Sequence, residues 1–471
     1  MLLVAISIVA SVTGATSLQA RGDSTGVAVD RLVERYRTGR RIPGIAIAVV
    51  RNGQVIKAQG YGSADLELGT PVTPAFRFGL GSISKQFTAT AIMQLAEEGR
   101  LTVDDPISKY VDSLPPHWSR LTLRQLLTHT SGIPEERWLP NFVEFDRVEH
   151  EHLDVLRTVF SDSLQFTPGE SWAYRNSAYR LLGMVVERAS GESYWTFLDR
   201  RIFKPLGMTS TRSSDPKTII PERSKGYGRE RGRIVNRDAV AESAAFSEGA
   251  LISTVLDLAR WDSSLYRPTI LSQKSLDQMW TPVVLNDGTT RPYGFGWALS
   301  PTNGQRTISH TGSLPGFITA ISRFVSKGLT VIVLTNAEWA EAGQVAAAIA
   351  GLYEPELAPK PEPTIIDPEP AFTTDMQRLL VKLAGNELDR PRLAPEERED
   401  WTSEVIADAA QLLNRLGGSP RLELVARNVF GESVRRVYRV LLDRGTARLT
   451  VTTDQGGLLS QLDLRESLLG T

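Results

Sequence analysis

The stretch Gly81-Ser82-Ile83-Ser84-Lys85-Gln86-Phe87-Thr88-Ala89, running on to Gly99, decides how the chain is read. Phe87, Ala91, Ile92, Leu95 and Ala96 recur at helical spacing, and Gly99 stands where a helix C-terminus favours glycine. Ser82 falls in the first turn of that helix, and Lys85, three positions on, shares its face. A serine hydroxyl is a poor nucleophile until a neighbour takes its proton, and a lysine partly desolvated in a cleft can assist. The N–H groups of a helix start can also meet an oxyanion. The pattern S-x-x-K recurs by chance, so its meaning depends on the rest of the chain.

On the N-terminal side, Pro43 to Val50 is apolar on both faces and reads as a buried strand. Asn52-Gly53 turns it, since that pair supplies the positive φ angles of a two-residue hairpin, and Gln54 to Tyr61 returns as its partner. A helix is expected before them, over Val27 to Thr38. From Leu101 to about Met279 the pattern is helices and long loops, including Leu121 to Thr128 and Tyr179 to Ala189. Strand character returns at Thr307–Ser309, Phe317–Ile321 and Leu329–Leu334, followed by a helix over Gln344 to Leu352. Strands near both ends with helices between them predict an α+β fold. One antiparallel sheet is built from the two ends, with an inserted helical region and a cleft at the junction.

Glu354 to Pro370 carries six prolines among acidic residues and reads as a stiff linker, placed at 355–371. Beyond it, helices at Asp375–Leu383 and Glu396–Leu416 precede four alternating segments, Arg421–Ala426, Val434–Leu442, Ala447–Thr452 and Leu458–Leu464. Residues 372–471 are thus expected to form a separate small α+β domain without a catalytic constellation of its own. The 471 residues, 41% hydrophobic, suffice for two or three domains. Lys and Arg number 53 against 54 Asp and Glu, which gives no reason to expect nucleic acid or an anionic membrane as partner. Arg229-Glu230-Arg231-Gly232-Arg233 reads as a solvated loop.

Leu2 to Val12 is almost wholly apolar and is followed by small residues, as in a signal peptide cut near Ala15 or Ala20. The run is too short to span a bilayer comfortably, and no Lys or Arg precedes it, so an uncleaved anchor is the other reading. Residues 1–22 are assigned to this leader, 23–354 to the main domain, and the protein is expected to be exported, to the periplasm or beyond. There is no cysteine, which excludes disulfides, cysteine nucleophiles, thiolate metal sites and a lipoprotein anchor.

Two further segments supply the groups that Ser82 and Lys85 lack. In Pro168 to Tyr179, Tyr174-Arg175-Asn176 offers a phenol that could accept the Ser82 proton if Lys85 favours the phenolate. Asn176 offers an amide for the substrate or for Lys85. His310-Thr311-Gly312-Ser313 ends the Thr307 strand, and a glycine on a strand marks a place where a ligand can approach the backbone. The Ser313 N–H could then pair with that of Ser82. Leu127-Thr128-His129-Thr130-Ser131-Gly132-Ile133-Pro134 also carries His-Thr and Gly, but it follows a helix and enters a proline turn, so it reads as structural. His150-Glu151-His152 reads as a solvated charged face, with no metal expected.

Three separated motifs in this order resemble the serine β-lactamase and penicillin-binding-protein superfamily, in its class C-like branch. That branch includes D-alanyl-D-alanine carboxypeptidases, D-aminopeptidases and β-lactamase-fold esterases. The resemblance covers roughly residues 27 to 355. It extends to Leu126-Leu127-Thr128-His129-Thr130-Ser131-Gly132, Tyr179-Arg180-Leu181-Leu182-Gly183 and Pro205-Leu206-Gly207-Met208 as framework. It implies the β-lactamase-like fold, Ser82 as acylated nucleophile, Lys85 as its activating partner and Tyr174 as general base and then acid. It also implies Asn176, His310, Thr311 and Gly312 at the substrate, and the backbone of Ser82 and Ser313 as oxyanion hole. No metal or cofactor is implied. Class C β-lactamases carry lysine where this chain has His310, and a histidine largely neutral at pH 7 offers less to a substrate carboxylate. The expected activity is therefore hydrolysis, through an acyl-enzyme, of a small ester or short D-amino-acid peptide amide. The alternatives are a class C-like β-lactamase or D-alanyl-D-alanine carboxypeptidase, and a sensor that acylates without turnover.

Overall fold

A computed structural model describes residues 13–135, 147–267 and 269–467, with side chains from Ser24 onward. The expected leader lies outside the described residues over 1–12; from Thr13 the chain is already in helix α1 (Thr13–Gly39), longer at its start than the apolar pattern indicates. The hairpin follows as expected, β1 (Gly44–Arg51) and β2 (Gln54–Asp65), with Asn52 and Gly53 at φ 49° and 77°. After β3 (Thr70–Pro71) come helices α2 (Ser84–Glu97), α3 (Leu123–Leu127), α4 (Asn176–Ser190) and α5 (Glu242–Gly249). The late strands are β4 (Thr307–Leu314), β5 (Phe317–Phe324) and β6 (Leu329–Thr335), capped by helix α6 (Ala342–Tyr353).

These six strands make one sheet in the order β4-β5-β6-β1-β2-β3. The central pairings are antiparallel, with Ile47 between Val333 and Gln59. The sheet joins the two ends of the main domain because β1 and β6 are both apolar on both faces. Alternation then divides their side chains between two cores. Ala46, Ala48, Val50, Ile332 and Leu334 face the inserted helices. Ile45, Ile47, Val49, Val331 and Val333 face α1 and α6. At about 1.5–3 kcal/mol for each fully buried aliphatic side chain, these two cores fix the register of the sheet.

Helix α2 lies inside the larger core, with every residue from Ser84 to Leu95 buried. Its polar side chains are hydrogen-bonded: Trp261 Nε1 donates to Gln86 Oε1 (2.9 Å), Leu251 N to Ser84 Oγ (3.2 Å), and Thr88 Oγ1 to Ser247 O (2.5 Å). A one-sided apolar period understates its burial because these polar positions bond to partners 159 to 175 residues away in sequence.

The chain continues through α7 (Pro370–Ala384), α8 (Pro395–Asp400) and α9 (Ser403–Leu416) to a four-stranded antiparallel sheet, β7 (Arg421–Phe430), β8 (Ser433–Leu442), β9 (Gly445–Thr453) and β10 (Leu459–Glu466). A third core, including Leu380, Trp401, Leu413, Tyr438 and Leu449, holds this C-terminal domain together. The expected single helix Glu396–Leu416 is two, broken at Trp401-Thr402, where the Thr402 side chain caps α9. The proline-rich segment does not run free. Leu357 is buried in the second core, Ile365 N donates to Leu424 O (2.9 Å), and Glu362 pairs with Arg448 (2.6 Å).

Two local expectations are corrected. Arg229 to Arg233 is solvent-exposed as expected, but it forms a β-hairpin turning at Arg231-Gly232 rather than a loop. Arg229 stacks on Trp339 at 4.3 Å, and Arg231 reaches Glu399 of the C-terminal domain. His152 does not lie on a solvated face: its ring stacks on Phe246 at 3.5 Å, and burial pushes its pKa down to about 4.

Candidate active site

Ser82 sits in a 3₁₀ turn, Gly81–Ile83, that leads directly into α2, so the helix begins three residues later than its sequence pattern. Gly81 has φ 55°, and a Cβ there would lie 2.6 Å from Ser313 N. Only glycine allows this turn to touch the backbone of β4. Lys85 is buried, and its Nζ donates to Ser82 Oγ at 3.2 Å, to Asn176 Oδ1 at 2.7 Å and to Glu248 O at 2.9 Å. The same ammonium lies 4.9 Å from the Tyr174 ring centroid and 5.5 Å from that of Tyr179. Ser82 and Lys85 are therefore brought together with Tyr174 and Asn176, the latter 91 residues beyond Lys85 in sequence.

The Glu248 carbonyl reaches Lys85 through a break in α5. Phe246 has φ 21° and ψ −127°, which interrupts the helix. Arg180 of α4 holds the broken segment, donating to Ser243 O (2.5 Å), Ala244 O (2.6 Å) and the buried Glu248 carboxylate (3.3 Å). Neither the break nor Glu248 has a signature in the sequence. Only the helical period of Tyr179 to Ala189, with Arg180 on its buried side, hints that something acidic must face it.

Tyr174 precedes α4, whose first residue is Asn176. The loop is held by His129, which reads from sequence as structural. The Ala173 N–H donates to His129 O (3.0 Å), the Arg175 N–H donates to His129 Nδ1 (3.1 Å), and the imidazole packs on the Tyr174 ring at 4.3 Å. Burial, then the charge of Lys85, holds the His129 pKa well below its ordinary value, so the ring is neutral. Glu135 accepts from the Asn176 N–H at 2.6 Å.

His310, Thr311, Gly312 and Ser313 lie within β4, not at its end: the strand runs on to Leu314, and Pro315-Gly316 makes the turn. Because β4 is the edge strand, one row of its backbone groups has no sheet partner. Ser309 N and O bond outward to Ala298 (2.9 and 2.8 Å), and alternation directs the Thr311 and Ser313 N–H groups the same way, toward the Ser82 turn. Gly312 permits that approach, since a Cβ there would lie 1.8 Å from Leu80 O.

The His310 side chain turns inward. Its Nδ1–H donates to Thr311 O (2.6 Å), and its Nε2 accepts from the Tyr293 hydroxyl (2.9 Å). Burial pushes its pKa down to about 4, with the Lys85 charge acting the same way, so it is neutral at pH 7. Tyr293, which the sequence reading missed, ties this histidine to the His129 ring, 4.8 Å away. A cleft of about 410 Å³ is lined by Ser82, Tyr174, the His310–Ser313 strand and Glu341–Gln344 at the start of α6. Among the described residues no group of three or more His, Cys, Asp or Glu could hold a metal ion, and no helix is long and apolar enough to cross a membrane.

An antiparallel sheet of joined ends, with a lysine-linked serine at its junction with inserted helices, is the architecture of a β-lactamase-fold serine hydrolase. The chain belongs to the Beta-lactamase family, whose model matches residues 29–354. It is 33% identical over 321 residues to penicillin-binding protein 4* of Bacillus subtilis (strain 168), covering 61% of this chain and 68% of that one. Among solved structures, a D-stereospecific amidohydrolase from Streptomyces sp. superposes with TM-score 0.59 at 26% identity, covering 70% of this chain and 99% of the other. The octameric penicillin-binding protein homologue from Pyrococcus abyssi, at 23% identity and TM-score 0.63, covers 93% of this chain and 98% of its own. That last likeness is one of fold, and it extends through the C-terminal domain.

Proposed function

We propose that this serine hydrolase acylates Ser82 and releases the acyl group to water, acting on a small ester or a short D-amino-acid peptide amide. The observation that carries the reading is the Lys85 ammonium, which donates to Ser82 Oγ and Asn176 Oδ1 beneath the Tyr174 ring. Lys85, within hydrogen-bond distance of Ser82 Oγ, is the activating partner, and its charge near the Tyr174 ring makes Tyr174 the base in this reading. Tyr174 accepts the proton as the Ser82 oxygen bonds to the substrate carbonyl carbon, and the nearby positive charge favours the phenolate. The oxyanion then lies between the N–H groups of Ser82 and Ser313. Collapse expels the leaving group, which takes the proton from Tyr174. Attack of water on the ester repeats the sequence and frees Ser82.

Asn176, Thr311 and Gly312 hold the substrate along the strand edge, while His310 acts through Tyr293 and the strand. A neutral, inward-turned His310 supports substrates without a carboxylate at that end, and the 26% likeness to a D-stereospecific amidohydrolase supports an amide. A class C-like β-lactamase or carboxypeptidase is the second reading, favoured by the 33% identity to a penicillin-binding protein. The apolar Leu2–Val12 segment supports placing the activity outside the cytoplasm.

The test compares a short-chain nitrophenyl ester, a D-alanyl amide and a chromogenic cephalosporin, with wild type and Ser82→Ala. Ser82-dependent turnover of the ester or amide is expected. Faster turnover of the cephalosporin favours the second reading, and a stable adduct without turnover of any of the three points to a sensor.

A further inference from the structure

A second cavity, of about 690 Å³, opens where the C-terminal sheet faces the start of α6, and it shares Glu341, Gly343 and Gln344 with the catalytic cleft. Gly343 sets no side chain between the two, and it lies against β4, where a Cβ would meet Thr311 Cγ2 at 3.5 Å. The far wall is fixed in place: Arg40 donates to Glu341 (2.9 Å) and to Glu466 O (3.0 Å), and Arg41 pairs with Asp408 (2.7 Å).

The lining tells what the cavity suits. Ala347, Pro361, Val425 and Leu441 give it apolar surface. Most of its charges are paired, Arg40 with Glu341, Arg439 with Glu423 (2.9 Å) and Arg448 with Glu362 (2.6 Å), and Lys360 at the linker is the exception. A volume within the ordinary range of ligand sites, sharing three lining residues with the nucleophile's cleft, suits the remote end of a substrate.

We propose that this junction cavity receives the distal part of the acyl group, and that this part is an uncharged, apolar chain. The proposal rests on the acyl-enzyme reading above and makes the C-terminal domain a wall of the substrate site. A long-chain acyl group bonded to Ser82 passes over Gly343 and lies between Ala347 and Val425.

The test is a series of nitrophenyl esters, acetate, butanoate and octanoate, read as kcat/KM on the full chain. A fully buried methylene is worth about fourfold, so an octanoate-to-acetate ratio of at least roughly tenfold is expected of the wild type. Val425→Trp and Ala347→Trp, half-buried positions on opposite walls, should each lower that ratio at least about fivefold by filling the cavity. Either variant carries the test if the other fails to fold. A wild-type ratio near one overturns the proposal, as does a ratio that the variants leave unchanged. Ser82-dependent acetate turnover with a ratio near one overturns the cavity alone, whereas Ser82-independent turnover overturns the underlying reading.

Discussion

Tyr174→Phe and Tyr174→Ala separate the chemical role of this side chain from its packing. In the first, the ring stays on His129 (4.3 Å between centroids) and beside Lys85 (4.9 Å), and only the hydroxyl is lost. If the hydroxyl carries the Ser82 proton, kcat/KM falls by about 10² to 10⁴. That range is about 2.7–5.4 kcal/mol of barrier. The folded state changes by less than about 1 kcal/mol, because the ring contacts remain. In the second, the ring goes too. Removal of a fully buried aromatic side chain costs about 3–5 kcal/mol, and Tyr174 is half-buried, so about 2 kcal/mol is expected. The two variants should therefore share one activity loss and differ in stability, read by steady-state hydrolysis of a nitrophenyl ester and by urea unfolding. Tyr174→Phe retaining more than about a tenth of wild-type activity would refute the proton-carrier argument.

Three further outcomes follow from the buried charges. His310 has its pKa lowered to about 4 in the fold, so between there and its ordinary 6.5 the unfolded chain binds a proton that the fold does not. Stability falls as pH drops through that window, by about 3 kcal/mol from this group, and His310→Gln should flatten the urea-derived profile by that amount. Parallel profiles would contradict the assignment. Arg180→Met leaves the Glu248 carboxylate buried without its cation and should cost about 3–5 kcal/mol of stability, as well as activity through the Glu248 carbonyl at Lys85. A loss below about 1 kcal/mol would show that the pair is not what holds the α5 break. His310→Lys would put an ammonium in this buried, inward site near the Lys85 charge and should lower stability, read by urea unfolding; unchanged stability would contradict the inward placement of the side chain.

The groups legible in the sequence were those with local signatures. Asn52-Gly53 sets a hairpin through two backbone angles, the doubly apolar β1 and β6 require a central place in the sheet, and Ser82 and Lys85 share one helical turn. The supporting groups were not legible, because each acts from far along the chain. Glu248 O meets Lys85 163 residues away through a helix break that no residue pattern announces. His129 reads as an ordinary turn residue, and its place against Tyr174 exists only once α3 and α4 pack side by side. His310 could be located on a strand but not oriented, since the Tyr293 hydroxyl that draws it inward belongs to a separate loop. The contact of Arg229 was not legible for the same reason: Trp339, on which it stacks, follows the last strand of the sheet.

The most direct test of the acyl-enzyme account is acid-quenched intact-mass analysis of the protein during turnover of a nitrophenyl ester, with peptide mapping of any adduct. The account predicts one acyl group on the peptide containing Ser82 and neither adduct nor turnover with Ser82→Ala. An adduct on another residue, or Ser82→Ala turning over near the wild-type rate, would contradict it.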